Sequence, residues 1–377
     1  PTEVLLSSSS FVRAVLSRAR RPKRRRLVAV LATVAVLPFA VAAEEKPDTG
    51  KLEAAPIKIE AAAISSFSRF GGNETTHFGK LDFRGGLVLT APQSANFGGW
   101  SGLVVDEQGK DFLAISDSGV WMTGEIDYKD GKPSAVSNAT LGPIRASGDK
   151  ALKKRRDRDA EAVALISGTP HAGEVFIAFE QNSRIARYSV SREGLSPPQS
   201  FLPLPRGARA MRRNNGFEAM TLVRGGPLKG AVVALSERLL DRNHNHTGWI
   251  WKGGEPQIFH LANIGDFELT DIASLEDGTL FVLERRFRWL EGVKMRIRRL
   301  EASELKPGAT AEGEILIEAN LEQEIDNMEG LALNRDALGN VVLTLISDDN
   351  FNHYLQRTLL LQFVLKDAQT VKARPER

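Results

Sequence analysis

The sequence predicts an all-β protein folded as a β-propeller. Three observations carry that expectation: short apolar runs closed by turn residues, a long and regular repeat of those runs, and strand-like segments near both ends of the repeat region. The runs include "GLVVD", "FLAIS", "EVFIAF", "AVVALS", "TLFVLE" and "VVLTLIS". They are rich in β-branched residues, which suit a pleated surface. Gly, Asp and Asn punctuate them in "DEQGKD", "KDGK", "EDGT" and "RDALGN", and these residues tolerate the backbone of tight turns. Long amphipathic periodicity is missing. "DKALKKRRDRD" (Asp149–Asp159) permits a helix but reads as an exposed charged loop.

The repeat sets the architecture. Inner-strand candidates open on Ser101 in "GWSGLVV", Glu161 in "DAEAVAL", Glu218 in "GFEAMTL", Asp271 in "LTDIASL" and Glu329 in "NMEGLAL", at intervals of 60, 57, 53 and 58 residues. A second strand follows each and ends in an acid: Asp117, Glu180, Glu237, Glu284 and Asp348. Units of this length with several strands fit propeller blades, whereas a β-sandwich has no reason to repeat at so long an interval. Five units are visible. Residues 61–100, with "KLDFRGGLVL", supply strands for a sixth, closed by "TLLLQFVL" (Thr358–Leu365). Closing a blade from both ends removes the open edge of the ring. Six blades are favoured, with five as the alternative.

The first 43 residues are a different material. Eight Lys or Arg between Arg13 and Arg26 precede an apolar run from Leu27 to Ala43, and Ala40-Val41-Ala42 offers a small-x-small cleavage site. Basic, apolar and small in that order is a secretory signal peptide. The apolar run is about 17 residues and holds Pro38, short for a membrane span. "RRRLVA" (Arg24–Ala29) is compatible with a twin-arginine signal as well as with an ordinary basic leader. The expected organisation is a signal at 1–43, a charged linker at 44–56, the propeller at 57–367 and a tail at 368–377. The expected location is periplasmic or secreted, as a monomer without a stable membrane span after cleavage.

Composition narrows the chemistry. The 377-residue chain carries a net +3, but residues 1–43 alone carry +7, leaving −4 for the rest. The basic character belongs to the leader, and a nucleic-acid partner is not expected. There is no cysteine, which excludes disulfides, thiol nucleophiles and thiolate metal sites. The sequence contains no G-x-S-x-G elbow, Walker loop or H-E-x-x-H pair.

In a propeller the inner strands line a central channel, so equivalent positions of all blades meet in a ring. Glu161, Glu218, Asp271 and Glu329 are therefore expected to converge at one mouth, with the second-strand acids clustered nearby. Crowded carboxylates must be compensated or stay protonated. Calcium is the natural counter-ion for a cage of oxygen ligands, and Asn214, Asn215 and Asn327 would add neutral oxygens. The competing account is structural: a carboxylate at a strand start accepts hydrogen bonds from nearby backbone N–H groups. Arg184, Arg238 and Arg285 follow second-strand acids, where they serve either as forks for a substrate phosphate or as salt-bridge partners. "DRNHNH" (Asp241–His246) has metal-binding residue types but reads as a polar turn.

Taken together, "FGGWSGLVVDEQGKDFLAISDSG", "DAEAVAL", "FEQNSRIARYS", "NNGFEAMTL", "SER", "NMEGLAL" and "SDDNFNHYLQRTLLLQF" resemble the bacterial family known for esterase-like activity of phytase. The resemblance runs in order from about Phe97 to Phe363. It implies an exported β-propeller hydrolase acting on a small-molecule phosphate or carboxylic ester, and it supplies no catalytic residues to carry over. Three functions compete. A calcium-assisted phosphoesterase would hold metal with Glu161, Glu218, Asp271 and Glu329 and phosphate with Arg184, Arg238 and Arg285. A carboxylesterase would use a serine such as Ser101. A non-enzymatic propeller would bind a ligand or partner at the channel mouth.

Overall fold

Five mainly antiparallel sheets, with a separate two-stranded ribbon at Arg145–Ala146 and Lys150–Ala151, stand around a central channel in a computed structural model that describes residues 49–71, 75–205, 207, 208, 211 and 216–366. The expected signal, the start of the linker, residues 368–377, and Asn214 and Asn215 lie outside the described residues. Blade 1 runs outward through Trp100–Val105, Asp111–Ser116, Val120–Lys129 and Lys132–Pro143. Blade 2 comprises Ala160–Thr169, Ala172–Phe179 and Arg184–Ser191, edged by two short strands. Blade 3 comprises Phe217–Leu222, Val232–Leu240, His246–Trp251 and Gln257–Leu261. Blade 4 comprises Glu268–Ser274, Leu280–Arg288, Gly292–Leu300 and Glu314–Ala319.

Blade 5 corrects the favoured count of six. Its inner strands are Asn327–Arg335 and Val341–Asp348, followed by Thr358–Leu365. The next strand outward is Leu81–Thr90, paired with Thr358–Leu365 from Leu81↔Leu365 to Leu89↔Thr358. Glu60–Ile64 completes the edge. The segments assigned to a sixth blade thus join one existing blade from both ends, and the ring closes with five. The inner strands of neighbouring blades touch in an unbroken circuit from blade 1 to blade 5 and back.

Five apolar clusters, one between each pair of neighbouring blades, hold the ring. Leu113, Ile115, Val175 and Ile177 fill the gap between blades 1 and 2, and Phe176, Ile185, Phe217 and Trp249 the gap between 2 and 3. Val233, Leu235, Ile272 and Val282 join blades 3 and 4, and Leu283, Ile297, Leu343 and Leu361 join 4 and 5. Leu87, Leu360, Leu103 and Phe112 complete the circle. Each second strand is covered on both faces, which explains why it reads as a continuous apolar run rather than an alternating one. The turns follow their residues: in "RDALGN" the Asp336 carboxylate accepts from the Leu338 and Asn340 amides at 2.9 and 3.0 Å, and Gly339 takes φ +81°. The charged loop before blade 2 holds only a four-residue helix, Arg155–Arg158. No helix among the described residues is long and apolar enough to cross a membrane.

Candidate acidic site at the channel mouth

One residue near the start of every inner strand is squeezed out of the ladder. The pairing register slips at Ser101, Glu161, Glu218, Thr270 and Glu329, one β-bulge at the start of each inner strand. A bulge turns its extra residue away from the sheet, here at the channel end of the strand. The residue across the ladder is followed in turn by Asp117, Glu180, Glu237, Arg285 and Asp348. These two sets form the rim of the mouth.

Blade 4 departs from the expected pattern by one residue on both strands. Thr270, not Asp271, occupies the bulge, and Arg285, not Glu284, occupies the second-strand position. A one-residue shift sends a side chain to the other face. Asp271 stands where other blades carry Gly102, Ala162, Ala219 and Gly330. Its carboxylate is buried and accepts from the Leu331 and Ile272 amides at 2.7 and 2.8 Å, tying blade 4 to blade 5. Burial raises its pKa well above the usual range, against the pull of those two hydrogen bonds. Thr270 donates toward the Leu283 and Met328 carbonyls. Glu284 is fully buried between Arg296 and Arg298, with contacts of 2.7, 2.9 and 2.5 Å.

The remaining acids converge. Carboxylate oxygens of Asp159, Glu161 and Glu180 lie within 4.8 Å of one another, as do those of Glu180, Glu218 and Glu237. Glu180 belongs to both trios and accepts from the Gly216 amide at 3.4 Å. Asp159 escaped the sequence argument because it lies in the loop just ahead of the repeat. Asn327 is present, but its oxygen is engaged by Arg285 at 2.6 Å while its amide donates to Glu329 at 2.7 Å and Asp348 at 3.4 Å. It orients the acids rather than adding a free oxygen.

The electrostatics follow from this crowding. Burial first, and then the charges of Glu218, Asp159, Asp117 and Glu329, push Glu161 well above the usual carboxylate range. Burial and then Glu237, Glu180 and Glu329 do the same to Glu218. Burial, Glu329 and Asp117 raise Asp348. Burial raises Glu237 to about 7 despite the opposing charge of Arg285. Burial disfavours the Arg285 cation, but Glu329, Glu237, Glu268 and Glu218 overcome it and hold the guanidinium charged.

A pH prediction arises here. A carboxyl whose folded pKa lies above its unfolded value stabilises the fold below the unfolded value and loses that contribution as pH rises. For Glu237 the loss runs from 4.5 to about 7. This shift corresponds to about 3 kcal/mol. In excess chelator, the fall in melting temperature between pH 5 and pH 8 should be smaller in Glu237→Gln than in the parent. An equal fall in both would refute the assignment.

The three arginines separate. Arg285 spans Glu237 and Glu329, both at 3.4 Å. Arg238 bridges Glu268 at 2.8 Å and Glu237 at 3.3 Å on the outer rim. Arg184 stacks on Phe179 at 3.5 Å and donates to the Asp157 and Asn182 carbonyls. Ser101 is buried and donates to the Gly99 carbonyl at 3.2 Å; among the described residues no histidine is hydrogen-bonded to it. "DRNHNH" forms the expected polar turn, with Asp241 accepting from the Asn243 and Asn245 amides at 2.8 Å each. His246 is buried there, its ring between the Glu237 and Phe267 carbonyls.

Comparison with known proteins gives one family. The family described as "Phytase-like: Esterase-like activity of phytase" matches residues 95–351. No curated protein matches. Among solved structures, the chain is similar to PQQ-bound aldose sugar dehydrogenase from Streptomyces coelicolor, at 13% identity and a TM-score of 0.38, over 82% of this chain and 99% of that one. It is also similar to the N-terminal domain of Nup159, at 11% identity and a TM-score of 0.32, over 78% and 97%.

Proposed function

This chain belongs to the phytase-like family described by esterase-like activity of phytase, and from that premise we propose that it is an exported, calcium-assisted phosphomonoesterase whose site is the acidic mouth. The observation that carries the reading is the pair of carboxylate trios sharing Glu180. Clustered hard oxygen donors suit calcium, and a chain without cysteine offers no thiolate to a softer metal. Asp159, Glu161, Glu180, Glu218 and Glu237 would hold the cation. Bound there, calcium would offset the acids and draw in the phosphate oxygens.

The chain's own groups complete the chemistry. Arg285, held by Asn327 and two glutamates, presents a permanent positive charge beside the acids. Arg238, 46% exposed at its side chain, is placed to meet an incoming phosphate at the rim. Asp348 lies outside both trios, and burial with the neighbouring charges of Glu329 and Asp117 raises its pKa, the direction a general acid requires. Water attacking phosphorus breaks the P–O ester bond, the departing oxygen takes the proton of Asp348, and the water's proton passes to a neighbouring carboxylate.

The test is phosphate release from p-nitrophenyl phosphate and from phytate, first with calcium and then with excess chelator. Release that falls at least about tenfold on chelation is expected. Absence of release from both compounds in both conditions would overturn the reading. Protein recovered from the periplasm should begin at Ala43 or Glu44.

A further inference from the structure

A second cavity, of about 620 Å³, lies beside the mouth where the Asp348–Thr358 loop of blade 5 meets the Thr90–Gly99 segment leading into blade 1. Its walls are largely apolar and include the buried Leu89, Ala91, Phe97 and Phe351. The charged groups on its wall are already engaged. Asp349 accepts from the Gly99 amide at 3.1 Å, the Phe351 amide at 3.1 Å and the Thr358 hydroxyl at 2.9 Å, and faces His353 at 3.2 Å. Arg357 is paired with Glu324 at 2.8 Å. A space of this size with largely apolar walls and paired charged groups suits an organic group better than water.

The cavity wall and the mouth approach each other at Gly99. A Cβ on Gly99, at φ +68°, would lie 2.6 Å from both the Phe351 ring of the cavity and the Asp117 carboxylate of the mouth. Asn350 and Phe351 both adopt left-handed backbone, φ +49° and +52°, which a non-glycine residue holds only at a cost. The Asn350 amide donates to Asp348 at 2.6 Å, so one hydrogen-bonded turn sets both the mouth acid and the Phe351 wall. Tyr354 and Leu355, 91% and 69% exposed, extend apolar surface along the same loop.

We propose that this cavity receives the apolar group of the ester, so that the substrate cleaved at the mouth is an alkyl or aryl phosphate rather than a densely phosphorylated polyol. The proposal rests on the phosphomonoesterase reading for the site of cleavage, but the cavity's ligand preference can be measured apart from turnover.

The test is calorimetric binding of methyl, butyl and octyl phosphate, and of 1-octanol, to the full chain in calcium. Affinity should rise about fourfold per methylene from butyl to octyl phosphate. Ala95 lines the cavity at its exposed edge. Ala95→Trp should weaken octyl phosphate at least about tenfold and leave methyl phosphate unchanged, with Ser94→Phe as a second filling variant. Equal affinity for methyl and octyl phosphate overturns the subsite. A chain-length preference untouched by both variants, at unchanged melting temperature, overturns its location. Octanol binding that Ala95→Trp abolishes, in a protein that releases no phosphate, supports the cavity and sinks the mouth reading alone.

Discussion

Glutamine at position 180 is expected to weaken calcium binding by about 100-fold or more and yet to raise the melting temperature of the chelated protein. Glu180 contributes to both carboxylate trios, so its loss strips each of a donor. Without metal the same carboxylate is a liability. It is buried against Asp159, and its charge adds to the repulsion on Glu218 and Glu237. Glutamine keeps an oxygen for the Gly216 amide, which now donates to Glu180 at 3.4 Å, so the backbone contact survives. Calorimetry with calcium and thermal melts in chelator check the two halves separately. An acid serving only the fold would behave in the opposite way, losing stability in chelator and leaving calcium affinity alone.

Glu284→Ala should cost about 4 kcal/mol of folding stability, the largest loss expected from any acid of the repeat. Glu284 is fully buried and ties together Arg296 and Arg298, themselves 1% and 0% exposed. The Arg298 guanidinium also donates to the Ala262 and Glu312 carbonyls at 2.9 and 2.7 Å, and that of Arg296 to the Ile264 carbonyl at 2.7 Å. Removing the shared acid leaves Arg298 without its anion in the core of blade 4 and leaves Arg296 with only the half-exposed Glu318 at 3.3 Å. Replacing all three residues by apolar ones of similar volume should recover most of the loss, because the pair is costly to break rather than intrinsically strong. Urea unfolding measures both, and a loss below about 1 kcal/mol in Glu284→Ala would show that the arginines find other partners.

These two glutamates show what the amino-acid order could and could not reveal. Both end a second strand in the sequence, as "IAFE" and "VLE", and nothing local separates them. The repeat located every inner strand because burial on both faces writes a recognisable apolar run. It misplaced blade 4 because an acid one position along mimics the pattern of the other blades. The difference rests on a bulge, a matter of ladder register that leaves no mark on composition. The preference for six blades over the alternative of five failed for a related reason. Leu81–Thr90 and Thr358–Leu365 each read correctly as strands, but no local feature says that they pair with each other. The cavity beside Phe351 was invisible, since it is built by loops whose residues carry no periodicity.

The sewing of blade 5 from both ends has a consequence for how the protein comes to exist. Blades 1 to 4 are successive hairpins whose partners lie close along the chain, and each can begin to form as it is synthesised. Blade 5 must wait for its third strand, Thr358–Leu365, and until then Leu81–Thr90 lacks that partner. A nascent chain therefore carries a half-made ring with unsatisfied strand edges and two uncovered apolar faces, the topology of high contact order that folds slowly and invites association. Among the described residues, the strand made last is the one that turns four blades and a fragment into a closed ring.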